Sequence, residues 1–200
     1  MPLDEKKGRQ KKKAIQALRK KQHRITDKSL IIVHSGNGKG KTTAALGLIM
    51  RTIAHGGKAA MVQFMKSPKD FKYAERKLAD SIENFDIFIM GAGFTWNTED
   101  RALDIRTTQE TWKKAVEIME SRKYDLVVLD EINYVIDYEF LDVNEVVGFL
   151  RQKPKKLHVV LTGRNAKAEV IELADLVTDM VNIKHPYATR GLLAQKGIDW

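Results

Sequence analysis

Residues 30–45 read LIIVHSGNGKGKTTAA, an apolar run followed by a glycine-rich turn and then by good helix formers. A phosphate-binding loop has the pattern G-x-x-x-x-G-K-[ST] between a strand and a helix. Gly40, Lys41 and Thr42 fit the second half of this pattern. Ser35 stands in the place of the leading glycine, and Gly36 follows one position later. The stretch predicts a phosphate loop between the first strand and a helix that begins near Lys41.

The residue types of this loop suit an anion despite the departure at Ser35. Glycines allow backbone N–H groups to converge on phosphate oxygens. The positive end of the following helix points at the same place. Lys41 can neutralise phosphate charge, and the Thr42 hydroxyl can ligate Mg²⁺. The candidate nucleotide-binding residues are therefore Gly36, Asn37, Gly38, Lys39, Gly40, Lys41, Thr42 and Thr43.

A pair of acidic residues follows another apolar run. Residues 126–129 are Leu-Val-Val-Leu, and Asp130 and Glu131 come directly after them. An acidic residue at the end of a hydrophobic strand is the usual metal-holding partner of a phosphate loop. Asp130 and Glu131, with Thr42, are predicted to hold Mg²⁺ directly or through water. Together the two elements specify a nucleoside triphosphate with Mg²⁺, but they leave open which bond is broken.

Strand and helix patterns alternate along the body of the chain. Mostly apolar runs without strict alternation are typical of strands covered on both faces, and alternation with helices predicts a parallel sheet. We expect an α/β fold of the P-loop NTPase-like (RecA-like) type, with a mostly parallel sheet and helices on both faces. The predicted strands are 30–34, 59–64, 85–90, 125–129, 157–161 and one within 176–183; the predicted helices are 41–55, 70–81, 99–122, 142–152 and 166–174.

The net charge of +9 is unevenly distributed. Residues 1–28 contain eleven Lys and Arg against three Asp and Glu, which gives +8, whereas residues 29–200 carry +1. We therefore divide the chain into a basic N-terminal arm, 1–28, with a helix over about 9–23, and a nucleotide-binding α/β domain, 29–200. A solvated basic tail remains an equal interpretation of the arm. The arm has no aromatic residue to stack on bases, which argues against nucleic acid.

Composition excludes several classes of site and location. The chain has no cysteine, which excludes disulfides, thiolate zinc sites and cysteine nucleophiles. No apolar run approaches the length of a membrane span, and the N-terminus lacks the apolar core of a secretory signal. We expect a cytoplasmic protein that does not enter a membrane.

One further stretch, Gly91 to Thr98, places Phe94 and Trp96 after a flexible Gly-x-Gly. The carboxyl edge of an open α/β sheet faces the ligand crevice. These aromatic side chains could stack on a flat ligand there, or they could pack into a local core. From the residues alone, the chain could equally be a P-loop ATPase or kinase acting on nucleic acid or a small molecule, or a nucleotide-binding module without catalysis.

The motifs taken together resemble the P-loop type of ATP:corrinoid adenosyltransferase, also called cob(I)alamin or cob(I)yrinic acid a,c-diamide adenosyltransferase. The resemblance spans nearly the whole chain. It rests on the loop and on segments distributed over the sequence: 62–64, 93–96, 129–131, 162–164, 172–175, 184–185 and 194–199. The family's loop also lacks the usual leading glycine, so Ser35 is consistent with it.

The resemblance implies a particular reaction. The cobalt(I) of a corrinoid attacks the 5′-carbon of ATP, a cobalt–carbon bond forms, and triphosphate leaves. Lys41 would be catalytic by offsetting the charge of the triphosphate, with Mg²⁺ or Mn²⁺ as the metal. Phe94 and Trp96 would also be catalytic, by displacing the lower axial ligand so that cobalt(II) is easier to reduce. Arg51 is a further nucleotide-contact candidate.

The resemblance also implies partners. The corrinoid would be cobalamin, cobinamide or cobyrinic acid a,c-diamide, in adenosylcobalamin biosynthesis or salvage. A flavodoxin or flavin reductase would donate the electron. The protein would be a homodimer, and the N-terminal helix would close over the corrinoid site.

Overall fold

The computed structural model describes Lys13 and residues 28–66, 74–91 and 100–198. Of the predicted arm it therefore describes Lys13, which is helical and exposed, and Lys28. The rest of the predicted arm helix lies outside the described residues, as do residues 70–73 of the second predicted helix.

A six-stranded sheet forms the centre of the described structure. Its strands are β1 (Ile31–Ser35), β2 (Ala59–Gln63), β3 (Phe85–Ile89), β4 (Leu126–Asp130), β5 (His158–Thr162) and β6 (Leu176–Asp179). They lie in the order β3-β2-β4-β5-β1-β6, and all neighbouring strands run parallel, which confirms the predicted fold class. Strand β1, which leads into the glycine-rich loop, lies between β5 and β6, and β4 lies beside β5, so the carboxyl ends of these strands meet at one edge.

Helices cover both faces of the sheet because apolar side chains alternate between two separate cores. The helices are α1 (Lys41–Ala54), α2 (Ala74–Ser81), α3 (Arg101–Glu120), α4 (Ile132–Asp137), α5 (Val143–Arg151), α6 (Ala168–Leu173) and α7 (Pro186–Arg190). On one face, α1 and α2 pack over side chains such as Met61 and Val128. On the other, α3 to α6 pack over side chains such as Val62 and Leu129.

Local sequence signals explain where the helices begin and end. The Asp100 side chain accepts from the N–H of Leu103 at the start of α3, and Asp142 accepts from the N–H of Asn144 at the start of α5. Such caps satisfy N–H groups that have no partner within the helix. Helix α1 ends at Ala54 with His55 as its C-cap, and Gly56 follows with a φ of 79°, the left-handed conformation that commonly ends helices.

The sequence did not predict α4 and α7. Helix α4 reads INYVID, and its β-branched and aromatic residues have weak helix propensity. The sixth strand ends at Asp179, earlier than the predicted limit of 183. Within the described residues, no helix has both the length and the apolar character required to cross a bilayer.

Candidate nucleotide and metal site

The glycine-rich loop joins the end of β1 to the first residue of α1. Gly36 and Gly40 have φ values of 92° and 108°, a region that residues with a Cβ rarely adopt. Lys41 begins α1 and is only 8% exposed. Its Nζ donates to the carbonyl oxygens of Gly36 and Gly38, both at 2.8 Å. The loop therefore curls around the ammonium group at the N-terminal end of α1.

The segment that follows β6 lies directly against this loop. Gly38 N–H donates to Met180 O at 2.6 Å, and Met180 N–H donates to Ser35 O at 2.8 Å. A Cβ added at Gly36 would lie 2.1 Å from Asp179 Oδ1, and one added at Gly38 would lie 2.6 Å from Met180 O. Close packing against this segment is thus a second reason for these two glycines, which the sequence did not reveal.

Asp130 ends β4 beneath the loop and is 1% exposed. Its Oδ1 accepts from the hydroxyls of Thr42 and Thr162, both at 2.9 Å. Its Oδ2 accepts from Gln63 Nε2 at 3.0 Å. Gln63 is opposite Asp130 in the sheet register. Three donors from three different elements therefore fix the Asp130 carboxylate.

Glu131 differs sharply from its neighbour Asp130. It has a φ of 63°, and its N–H donates to Thr162 Oγ1 at 2.9 Å. Its Oε2 is buried without a hydrogen-bond partner among the described residues. Burial, followed by the Asp130 charge, raises the pKa of Glu131 to about 7, against the opposing effects of Lys41, Lys66 and Arg164. Glu131 thus has an open carboxylate oxygen, that is, one without a hydrogen-bond partner among the described residues.

The pKa of Lys41 shifts in the opposite direction to that of Glu131. Burial lowers the pKa of Lys41 below its usual value, and Arg164 adds to this, while Glu131, Asp130 and Asp179 raise it. An anion placed on the loop would favour the charged ammonium group. The local electrostatics therefore suit a negatively charged ligand.

The oxygen atoms at this position fit a hard divalent cation. Mg²⁺ is usually held by one or two carboxylates together with phosphate oxygens and water. The open Glu131 Oε2 meets this requirement, whereas both Asp130 oxygens already accept from protein donors. The Thr42 hydroxyl lies between the loop and Asp130, so the three predicted ligands are brought together.

The remaining predicted residues divide into three groups. Asn37, Lys39 and Thr43 are exposed on the loop and the first turn of α1. Arg51 is exposed in the last turn of α1, about 15 Å along the axis from Lys41 at a rise of 1.5 Å per residue. The structure does not bring Arg51 to the loop of its own chain, and its nucleotide contact stays a prediction. Phe94 and Trp96 lie outside the described residues.

Two site residues, Gln63 and Thr162, received no role from the sequence. Each is fully buried at the end of its strand. Both occur in segments that carry the family resemblance. The signal that could have found them is a polar residue ending an otherwise apolar run, next to the acidic strand end in the sheet.

The family model for the ATP:corrinoid adenosyltransferases BtuR/CobO/CobP matches residues 27–200. Among curated relatives, a corrinoid adenosyltransferase of Sinorhizobium sp is 47% identical over 177 residues, covering 87% of this chain and 81% of that protein. The corrinoid adenosyltransferase of Escherichia coli (strain K12) is 38% identical over 174 residues, covering 87% of both chains.

A solved structure with the same fold is the flagellar accessory protein FlaH from Methanocaldococcus jannaschii. It matches with a TM-score of 0.51 at 14% identity, over 76% of this chain and 70% of that one. This likeness supports the α/β fold alone. The matching family model and the identity to the relatives decide the function: the chain belongs to the ATP:corrinoid adenosyltransferase family, whose enzymes transfer the adenosyl group of ATP to a corrinoid in adenosylcobalamin biosynthesis.

Proposed function

We propose that this chain performs its family's reaction with the loop, Gly36 to Thr43, as the binding site for the triphosphate of ATP. One observation carries the assignment: Thr42, Asp130 and Glu131 meet beside the buried Lys41 at the N-terminal end of α1. A cationic side chain, a hydroxyl and two carboxylates close together are what a triphosphate with a divalent cation requires.

Mg²⁺ is the proposed metal, and Mn²⁺ can replace it. Glu131 would bind it through the open Oε2, and Thr42 and Asp130 would complete the protein's contribution directly or through water. The bound cation would supply positive charge against the leaving triphosphate. Lys41 would add further positive charge, because its ammonium group is held within the loop at the Gly36 and Gly38 carbonyls.

The proposed chemistry places few demands on acid–base groups. The cobalt(I) electron pair attacks the 5′-carbon of ATP, the cobalt–carbon bond forms, and the bond from C5′ to the α-phosphate oxygen breaks. Inorganic triphosphate takes the electron pair of the broken bond. The nucleophile carries no proton that must be removed, so the protein's work is to align the 5′-carbon and to stabilise the leaving group.

Phe94 and Trp96 are proposed to act on the corrinoid. They follow β3, whose carboxyl end lies on the same edge of the parallel sheet as the loop. Their apolar rings would displace the lower axial ligand and so ease reduction of cobalt(II). The substrate would be cobalamin, cobinamide or cobyrinic acid a,c-diamide, and a flavodoxin or flavin reductase would supply the electron.

The proposed assembly is a cytoplasmic homodimer in which the arm, 1–28, closes over the corrinoid site beside the nucleotide-binding domain, 29–200. Large apolar side chains after β6 support a second copy as the partner. Val181, Ile183, Leu193 and Ile198 are between 69% and 92% exposed, and exposed large apolar side chains are common at protein interfaces. Sedimentation of the wild-type chain and of Ile183→Asp tests the dimer: the variant should be monomeric, and a monomeric wild type would contradict it.

The corrinoid role is tested by Phe94→Ala and Trp96→Ala in two assays. With cobalt(II) and a flavin reductant, activity should fall at least about 100-fold, which corresponds to about 2.7 kcal/mol. With chemically prepared cobalt(I), the loss should stay below about fivefold, because the reduction step is bypassed. An equal loss in both assays would refute the axial-ligand role.

A further inference from the structure

We propose that Thr162 and Gln63 are positioning residues that set Asp130 and Glu131 for the divalent cation. The inference rests on the proposed function, because the cation belongs to it. Neither residue is expected to touch substrate. Their contacts instead determine where the two carboxylates point.

Thr162 joins the two acidic residues through a single hydroxyl. It ends β5 with no exposed surface. Its Oγ1 donates to Asp130 Oδ1 at 2.9 Å and accepts from the Glu131 N–H at 2.9 Å. The hydroxyl has one proton, which it uses for the hydrogen bond to Asp130, so its oxygen can act only as an acceptor towards Glu131. The same atom therefore fixes a side chain at one position and a peptide group at the next.

The peptide group that Thr162 holds is conformationally costly. Glu131 is a residue with a side chain at a φ of 63°, a left-handed conformation that persists only where surrounding contacts maintain it. This conformation turns the chain from β4 into α4, for which Glu131 is the N-cap. The Thr162 hydroxyl oxygen accepts from the Glu131 N–H, and it thereby holds the backbone conformation that directs the Glu131 side chain.

Gln63 secures the other oxygen of Asp130. Its Nε2 donates to Asp130 Oδ2 at 3.0 Å. Gln63 is fully buried, and its Oε1 has no hydrogen-bond partner among the described residues. A buried polar atom without a partner is costly. The contact with Asp130 is the hydrogen bond that the described structure shows for this side-chain amide.

The consequence is a division of labour between the two carboxylates. Asp130 has both oxygens occupied and orients the Thr42 hydroxyl, whereas Glu131 keeps an open oxygen for the cation. Loss of the Thr162 hydroxyl should therefore weaken the response to the cation while leaving the loop and Lys41 in place. If Thr162 had only a structural role, its loss would affect the response to the cation and the binding of ATP without the cation equally.

The test follows the melting temperature with ATP present while Mg²⁺ is titrated, and again with ATP and EDTA. Thr162→Val removes the hydroxyl at nearly constant volume, and Thr162→Ser keeps it. Thr111→Val is the matched control, because Thr111 is a fully buried threonine on α3 whose hydroxyl donates to Thr107 O of the same helix. Gln63→Met removes one donor to Asp130 and serves as the second variant.

We expect Thr162→Val to raise at least about tenfold the Mg²⁺ concentration that gives half of the rise in melting temperature. The change in melting temperature caused by ATP in EDTA should be the same as in the wild type. Thr162→Ser and Thr111→Val should stay within about twofold of wild type, and Gln63→Met should lie between them and Thr162→Val. An unchanged Mg²⁺ midpoint in Thr162→Val would overturn the inference. It would also be overturned if the variant lost the ATP-dependent rise in melting temperature equally with Mg²⁺ and with EDTA. If Thr162→Val does not fold, the Gln63→Met midpoint decides by the same criterion. A wild type without any Mg²⁺ response would instead contradict the proposed metal site.

Discussion

The ends of β4 and β6 both lie beside the glycine-rich loop, but they contact the site in different ways. At the end of β4, the buried Asp130 side chain accepts three hydrogen bonds from other side chains. At the end of β6, the exposed Asp179 leads into Met180, which pairs with the loop through backbone atoms. The contact at the end of β4 therefore depends on the identity of the Asp130 side chain. The contact at the end of β6 depends on the space that Gly36 and Gly38 leave because they have no Cβ.

The largest expected effect is that of Gly36→Ala. The new Cβ would combine a left-handed φ with contacts of 2.1 Å to Asp179 Oδ1 and 2.6 Å to Met180 O. Strain and overlap together should cost about 3–4 kcal/mol of unfolding free energy. Denaturant unfolding measures this. Gly47→Ala is the control, because Gly47 is in α1 with nothing within 4 Å of an added Cβ, and it should gain about 0.5–1 kcal/mol. Equal effects at the two glycines would remove the claim of close packing.

Asp130→Asn should have the next largest effect. Asparagine keeps one acceptor oxygen for the hydroxyls of Thr42 and Thr162, and a flipped Gln63 amide would accept from its NH₂. The variant therefore removes mainly the negative charge of Asp130 beside the proposed divalent cation. We expect kcat for adenosyl transfer to fall about 100-fold, equivalent to about 2.7 kcal/mol. Steady-state kinetics at saturating ATP and Mg²⁺ checks this, and activity within threefold of wild type would disprove the role of the carboxylate.

Glu131→Gln should change how stability depends on pH in metal-free buffer. The folded-state pKa of Glu131 is raised to about 7 from a usual value of 4.5, so between these values the folded state binds the proton and the unfolded state does not. The stability that Glu131 contributes is complete below about pH 4.5 and is lost as pH rises through 7.

The glutamine variant lacks this loss. At pH 8 it should be more stable than wild type by about 2 kcal/mol, below the limit that the pKa shift allows, and the difference should vanish near pH 4.5. Urea unfolding between pH 4.5 and 8 in EDTA measures it. Curves that run parallel for the two proteins would contradict the raised pKa.

The smallest effect is expected for Asp179→Asn. The side chain is exposed, and its contribution to the pKa of Lys41 ranks last among those that act on it. Stability should change by less than about 0.5 kcal/mol, and transfer activity should stay within threefold in the assay used for Asp130→Asn. A tenfold loss would show that β6 also acts through a side chain, which would end the contrast with β4.

The sequence was sufficient for the fold because its main signals are local. The apolar runs predicted all six strands, and the caps at Asp100 and Asp142 lie close to the predicted starts of α3 and α5. Helix α4 was missed because INYVID has the composition of a strand, and packing on β5 and the core overrides its propensity.

The candidate site could be predicted only where its residues are motif positions. Lys41, Thr42 and the Asp130–Glu131 pair come from two local patterns. Gln63 and Thr162 reach Asp130 from strands that are distant in sequence, so their role depends on the strand order, which no local pattern specifies. The same applies to Met180, which meets the loop only because β6 pairs with β1.

The most direct test of the proposed reaction is to identify both products formed from ATP, Mg²⁺ and a chemically reduced cobalt(I) corrinoid. We expect a light-sensitive adenosyl-corrinoid and inorganic triphosphate in equal amounts, with both lost together in Lys41→Met. ADP and phosphate without an alkylated corrinoid would contradict it.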